Sequence, residues 1–190
     1  LEFRRVLFRS SYGGGKRLAN VLKIASGLAN YGLENLGEYE GLGIAITGAE
    51  NRRAPCFLAL VAKVKVDKNS AAIDVQKLIC VLDVGIAINP DGIKAQVEGS
   101  LLWGLSNALL EKMTLEDGMV SERNFDSYKW QNITKIPELE IHIVENGIFP
   151  SGVGEPATCV VAPAIGNAIF NATGVRLRSL PFSREELFEG

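Results

Sequence analysis

The stretch PSGVGEPA, residues 150–157, ends a glycine-flanked turn with a single carboxylate, Glu155, directly before a proline. The residues that follow, 158–170, are apolar and predict a buried helix. Glycine has no Cβ, so the backbone of this turn can approach a bound group closely. Pro156 disfavours helical backbone angles at the residue before it, which predicts that the helix begins after Glu155. We therefore expect Glu155 near the start of a buried helix, where peptide dipoles favour an anion.

Hydrophobic patterning on both sides of this stretch predicts an α+β fold, in which a mixed or antiparallel sheet packs against helices. Helices are predicted over residues 17–32, 90–110 and 158–172. Strands are predicted over residues 41–47, 57–66, 72–84 and 139–143, with 57–66 and 72–84 as an antiparallel pair. Asp-Gly at 117–118 predicts a hairpin over 114–120, and residues 48–55 are predicted to form an exposed connection.

The predicted helix over residues 90–110 begins with an N-cap signal, Asn89 followed by Pro90. Gln96 lies on this helix, and two interpretations stay open for it, a solvated side chain or a cofactor ligand. Gly99 and Gly104 also lie inside the helix, where glycine costs about 1 kcal/mol relative to alanine. They indicate close approach either of another helix or of a ligand.

Composition excludes several classes of protein. The 190 residues are 47% hydrophobic and 22% charged, which is typical of a folded domain, and the net charge of −2 argues against nucleic acid as a partner. No apolar run reaches the ~18 residues that a membrane span needs. The three cysteines and the single histidine lack metal-site spacing, so we expect no iron–sulfur or other metal cluster held by this chain. Cytoplasm and periplasm both stay open as locations.

Residues 1–10, LEFRRVLFRS, resemble translated sequencing-adapter sequence at the ends of metagenomic reading frames. We expect this segment to be an unstructured artefact and exclude it from the fold. The predicted domain therefore runs over residues 11–190.

Several motifs, taken together and in order, carry a resemblance to a known family. They are DVG at 83–85, NP at 89–90, QVEGSLLWGL at 96–105, GVGEP at 152–156, APA at 162–164, NAIF at 167–170 and TG at 173–174. This series resembles the C-terminal part of the molybdopterin-binding large subunits of the xanthine dehydrogenase and aldehyde oxidase family. The isoquinoline oxidoreductase branch is the most similar, and the resemblance covers roughly residues 16–188.

The resemblance assigns roles to individual residues. It implies that Glu155 is the catalytic general base, because the family's glutamate stands at the acid of the Gly-Val-Gly-Glu turn. It implies that Gly152, Val153 and Gly154 contact the cofactor through their backbone, and it makes Gln96 the candidate for holding the pterin or its nucleotide. The implied cofactor is molybdenum–molybdopterin, in its cytosine dinucleotide form. The implied reaction oxidises an aldehyde or an N-heteroaromatic substrate with oxygen taken from water.

The resemblance also implies partners. The family's large subunit is several times longer, and its upstream cofactor loop and substrate segment have no counterpart here. We therefore expect a fragment that needs the missing N-terminal part of the same subunit and a separate iron–sulfur small subunit, and that is inactive alone. The alternative interpretation is a non-catalytic module that only docks against partners.

Overall fold

The computed structural model of the protein describes residues 14–33, 35–51 and 54–188. The segment predicted to be an artefact, residues 1–10, lies outside the described residues. The helices are α1 (Gly15–Leu28), α2 (Pro90–Leu109), α3 (Thr158–Thr173) and α4 (Glu185–Phe188). The strands are β1 (Glu40–Asn51), β2 (Ala54–Val66), β3 (Ile73–Gly85), β4 (Leu115–Glu116), β5 (Met119–Val120) and β6 (Glu138–Glu145), with a 3₁₀ turn at Ile133–Lys135.

The main sheet has the strand order β1-β2-β3-β6. The pairs β1–β2 and β2–β3 are antiparallel, whereas β6 lies parallel to β3. α2 follows β3 and α3 follows β6. Because these two strands are parallel, both helices begin on the side of the sheet where the strands have their carboxyl ends. The predicted α+β class, with a mixed sheet against helices, is confirmed.

Helices cover both faces of the sheet. α2 and α3 pack on one face, where the larger core forms around Leu58, Leu82 and Leu101. α1 covers the other face through Leu18, Val21 and Ala25. The sheet is thus the middle layer of three, and each face has its own apolar cluster.

α3 lies directly against β1 because two strand residues lack side chains. A Cβ at Gly41 would come within 2.2 Å of the Ala168 carbonyl oxygen, and one at Gly43 within 2.1 Å of the Ala164 carbonyl oxygen. The close approach brings two asparagine side chains of α3 to the outer edge of β1. Asn167 donates to the Ile44 carbonyl oxygen at 3.0 Å, and Asn171 accepts from the Leu42 amide at 3.1 Å.

The predicted elements are confirmed with shifted ends. α1 ends at Leu28, earlier than residue 32, because Asn30 and Gly32 adopt positive φ angles of 48° and 83° that leave the helical region. The 117–118 turn is confirmed, with φ positive at Asp117 and Gly118.

The prediction of an exposed connection over residues 48–55 was wrong. β1 continues to Asn51 and β2 begins at Ala54, so the two strands stay paired up to the two-residue connection between them. The physical reason is that the backbone ladder supplies the pairing, whatever the polarity of the side chains on it. The predicted connection is thus reduced to residues 52 and 53, which lie outside the described residues.

Candidate functional site

The glycine turn, residues 152–155, lies between the end of β6 and the start of α3, and a serine of α2 fixes it. Ser100 Oγ donates to the Glu155 carbonyl oxygen at 3.3 Å and accepts from the Thr158 amide at 3.0 Å. Thr158 Oγ1 lies 2.8 Å from Ser100 Oγ, and with Thr158 as the donor of that bond the Ser100 hydroxyl hydrogen is left for the Glu155 carbonyl. Ser100 is buried, so these bonds join α2 to the first turn of α3 away from solvent.

Gln96 lies one helical turn before Ser100 and therefore on the same side of α2. A Cβ built on Gly154 would lie 3.6 Å from Gln96 Oε1, an ordinary contact distance. The structure thus brings together the two sequence motifs from which Gln96 and Gly154 were predicted. Asn89 caps the helix as expected, accepting from the Gly92 amide at 3.0 Å.

The predicted site residues differ in burial. Gln96, Gly152, Gly154 and Glu155 are exposed, whereas Val153 is half-buried and packs against the main core. The turn is thus anchored through Val153 and through the Glu155 carbonyl. Its glycine backbone and the Glu155 carboxylate stay open to a ligand.

The two glycines inside α2 have different environments. A Cβ at Gly104 would come within 2.6 Å of the Val161 side chain and 3.0 Å of the Thr158 carbonyl oxygen, so this glycine allows α2 and α3 to pack closely. Gly99 is exposed, and a Cβ there would meet nothing within 4 Å. Of the two open interpretations, helix packing therefore holds for Gly104.

A buried carboxylate lies at the end of β3, close to the segment that leads into the turn. Asp83 is 2% exposed and accepts from Arg17 Nε at 2.9 Å and from Arg17 Nη2 at 2.6 Å. Asn146 Nδ2 donates to both Asp83 oxygens, at 2.7 and 2.9 Å, and the Gly85 amide donates to one at 3.2 Å. The two oxygens of this carboxylate thus accept five hydrogen bonds between them.

The pKa of Asp83 reflects two opposing effects. Burial raises it, but the hydrogen bonds from Arg17, the Gly85 amide and Asn146, together with the positive charge of Arg17, outweigh burial and lower the pKa below its ordinary value. The carboxylate is therefore ionised at neutral pH.

The chemistry of the open residues fits a large polar cofactor. A primary amide such as Gln96 can both donate to and accept from a pterin or a nucleotide. The packing of the described residues would accept an alanine at 154, so the fold itself does not explain the glycine, whereas a ligand lying against the turn would. A carboxylate next to such a ligand can take up a proton.

Sequence reasoning missed Ser100, Thr158, Arg17, Asp83 and Asn146 as parts of this arrangement. Asp83 carried a usable signal, because a single carboxylate inside an otherwise apolar strand must find partners. Ser100 carried a weaker one, as a polar residue on the buried face of α2. The partners themselves lie 55 to 66 positions away and had no signal in the local pattern.

The residues that the structure describes hold neither a metal cluster nor a membrane-spanning helix. Within residues 14–33, 35–51 and 54–188, no group of three or more His, Cys, Asp or Glu side chains could hold a metal ion. Over the same ranges, none of the helices combines the length and the apolar character that crossing a bilayer demands.

A family of domains matches most of the chain. The profile of the molybdopterin cofactor-binding domain matches residues 3–137, which include Gln96 but end before the glycine turn. No other residue of the predicted site lies in the matched range.

Three known proteins illustrate the similarity. The membrane-bound aldehyde dehydrogenase of Gluconacetobacter polyoxogenes, whose name includes pyrroloquinoline-quinone, is 41% identical over 180 residues, 95% of this chain and 23% of its own length. Isoquinoline 1-oxidoreductase subunit beta of Brevundimonas diminuta is 35% identical over 140 residues, 74% of this chain and 17% of its own. The crystal structure of the aldehyde oxidoreductase of Desulfovibrio desulfuricans superposes with a TM-score of 0.62 at 31% identity, covering 71% of this chain and 15% of its own. The chain thus spans less than a quarter of each of these three proteins.

Proposed function

The chain belongs to the family of molybdopterin cofactor-binding domains, and on that premise we propose that it is the C-terminal part of a molybdenum hydroxylase large subunit with Glu155 as general base. The observation that carries the proposal is the position of the turn. Gln96 Oε1 lies 3.6 Å from the point that a Cβ on Gly154 would occupy, and the buried Ser100 binds the backbone next to the exposed Glu155 carboxylate.

When bound, the molybdenum cofactor supplies a redox centre at which an aldehyde or an N-heteroaromatic carbon is oxidised with oxygen from water. The chain's own residues have simpler tasks. Gln96 holds the pterin or its nucleotide through its amide, and the backbone of Gly152, Val153 and Gly154 lies against the cofactor. The Glu155 carboxylate accepts the proton that the reaction releases, which requires a carboxylate held still beside the reacting group.

Ser100 contributes to this task because it binds the carbonyl of Glu155 and not its carboxylate. The main chain is fixed, and both carboxylate oxygens are left to accept a proton. Holding the backbone in this way reduces the conformational freedom that a catalytic group would otherwise lose on binding.

We propose two partners from the same premise, the N-terminal part of the same subunit and a separate iron–sulfur small subunit. Large apolar side chains on the surface support the proposal that another polypeptide packs against this chain. Trp103 is 59% exposed, Ile133 82% and Phe149 80%. The isolated chain is expected to be inactive, because it supplies only one part of the cofactor site and leaves Glu155 open to bulk water.

The test replaces the matching C-terminal part of the Gluconacetobacter polyoxogenes relative with this chain and measures aldehyde-dependent reduction of a dye. The chimera is expected to turn over and to contain molybdenum. Glu155→Gln should lower kcat by a factor of ~10²–10⁴, the usual contribution of a general base, with unchanged molybdenum content by mass spectrometry. Glu116→Gln, an exposed carboxylate in the β4–β5 hairpin, is the control and should leave kcat unchanged.

The same chimera decides among the alternatives. Turnover in the Glu155→Gln variant at the rate of the control would remove Glu155 from the mechanism. A chimera that assembles but neither turns over nor contains molybdenum would favour the alternative interpretation, a non-catalytic docking module. Nucleotide released from the denatured chimera is expected to be cytidine monophosphate, and release of pyrroloquinoline quinone in its place would overturn the proposed cofactor.

A further inference from the structure

The carboxylate of Asp83 is the only charged group among the described residues that is both buried and outside the proposed reaction. It joins three parts of the chain that are distant in sequence. Arg17 of α1 binds both carboxylate oxygens, Asn146 binds them from the segment after β6, and the Gly85 amide binds one from the end of β3.

Asn146 also forms hydrogen bonds that hold the start of the segment 146–151. The side-chain oxygen of Asn146 accepts from the Ile148 backbone amide at 3.1 Å, and the backbone amide of Asn146 donates to the Gly85 carbonyl oxygen at 3.3 Å. The Asp83–Asn146 contact therefore fixes the point at which the chain leaves β6.

The segment 146–151 then follows the end of β3. The Ile86 amide donates to the Ile148 carbonyl oxygen at 3.0 Å, and the Ser151 amide donates to the Val84 carbonyl oxygen at 3.0 Å. Gly85 makes this approach possible, because a Cβ there would come within 2.4 Å of the Phe149 carbonyl oxygen and its φ is +77°. Ser151 directly precedes Gly152, so the attachment reaches the glycine turn.

We propose that Asp83 is a positioning residue, which holds the glycine turn from the β3 side through Asn146 as Ser100 holds it from the α2 side. The turn then has two independent attachments, one at each end. The importance of Asp83 for a reaction rests on the proposed function, whereas the attachment itself does not.

The test uses the ¹⁵N-labelled 190-residue chain and the amide cross peaks of Gly152 and Gly154 in NMR spectra. Asp83→Asn and Asn146→Ala are expected to shift or broaden both peaks and to leave those of Gly41 and Gly43, which lie against α3, unchanged. The decisive variant is Asn146→Ala, because it keeps the ion pair between Arg17 and the buried Asp83 and is therefore the variant that stays folded.

Lys77→Met is the matched control. Lys77 also links β3 to β6, through Glu138 at 3.0 Å and Glu140 at 2.7 Å, but it lies at the other end of these strands. Its loss should leave the peaks of Gly152 and Gly154 unchanged.

A donor–acceptor exchange tests the specific bond. Asn146→Asp has nearly the same shape but cannot donate to Asp83, so it should disturb the turn as Asn146→Ala does.

The proposal is overturned if Asn146→Ala leaves the Gly152 and Gly154 peaks unchanged, or if it disturbs the peaks of Gly41 and Gly43 equally. These outcomes are independent of cofactor binding. If the chimera above binds no molybdenum while the cross peaks respond as expected, the proposed function fails and the positioning role stands.

Discussion

The main chain and the side chain of Glu155 have different surroundings. Its main-chain carbonyl accepts from the buried Ser100, whereas its carboxylate is exposed. The main chain of Glu155 is therefore held by a hydrogen bond, while its side chain stays accessible to solvent. Asp83 is the reverse case, a buried carboxylate whose oxygens accept hydrogen bonds from Arg17 and Asn146.

The depressed pKa of Asp83 makes the stability of the fold sensitive to acid. Because its folded pKa lies below the unfolded value of about 3.9, its stabilisation is fully present above that pH and is lost as pH falls through the folded pKa. Urea unfolding at pH 7 should show Asp83→Asn to be about 3 kcal/mol less stable than the wild type. This difference should shrink progressively below pH 4.

Asp74→Asn is the control for the acid titration, since Asp74 is an exposed carboxylate on the same strand. Its free energy of unfolding should follow that of the wild type at each pH. A gap between Asp83→Asn and the wild type that stays constant from pH 7 to pH 2 would contradict the prediction.

The three cysteines are expected to differ in reactivity. Burial raises the pKa of Cys56 to about 11 and that of Cys80 to about 12, whereas Cys159 is exposed. A short iodoacetamide pulse at pH 8 should therefore alkylate Cys159 in the folded chain and spare the other two, because the thiolate is the reactive form. Peptide mass spectrometry measures the result, and modification of Cys80 at the rate of Cys159 would contradict it.

At the scale of elements, the contact between α3 and β1 depends on glycine. A Cβ at Gly43 would overlap the backbone of α3, which cannot move aside as a flexible side chain can. Gly43→Ala should therefore cost about 3 kcal/mol, the upper range for overpacking, in thermal or urea unfolding. Gly27→Ala in α1, where a Cβ meets open space, should be neutral or stabilise by up to about 1 kcal/mol. Equal effects of the two substitutions would show that α3 does not lie on β1.

Much of this element structure could be predicted from the sequence, because it follows from local periodicity. Apolar spacing located α1, α2 and α3, and the N-cap residue Asn89 located the start of α2. The extension of β1 to Asn51 could not be predicted, since its pairing with β2 depends on a partner strand and not on its own side chains.

The candidate site was predictable only in part, for a related reason. A turn motif and a helix motif pointed to Gln96, Gly154 and Glu155, and the fold places Gln96 Oε1 3.6 Å from the point that a Cβ on Gly154 would occupy. The roles of these residues stay predictions. The supporting bonds of Ser100 and Asp83 arise from tertiary contacts, which no spacing along the chain encodes.

At the scale of the whole molecule, the central sheet is stable only when both of its faces are covered. α1 alone covers one of them within the described residues, and its Val21 is fully buried there. Val21→Asp should therefore place an unpaired charge in the core and destabilise the chain by several kcal/mol, as a lower midpoint in thermal unfolding followed by circular dichroism. Lys23→Asp, an exposed position on the same helix, should change the stability by no more than about 0.5 kcal/mol. A small effect of Val21→Asp would mean that α1 does not seal this face.

The two asparagines of α3 have a consequence beyond the fold of one molecule. An open margin of a sheet is a template on which another chain can add a strand, and fibrils grow by repetition of that event. Asn167 and Asn171 already occupy the Ile44 carbonyl and the Leu42 amide that an incoming strand would need. At these positions, growth from β1 would first have to displace a helix.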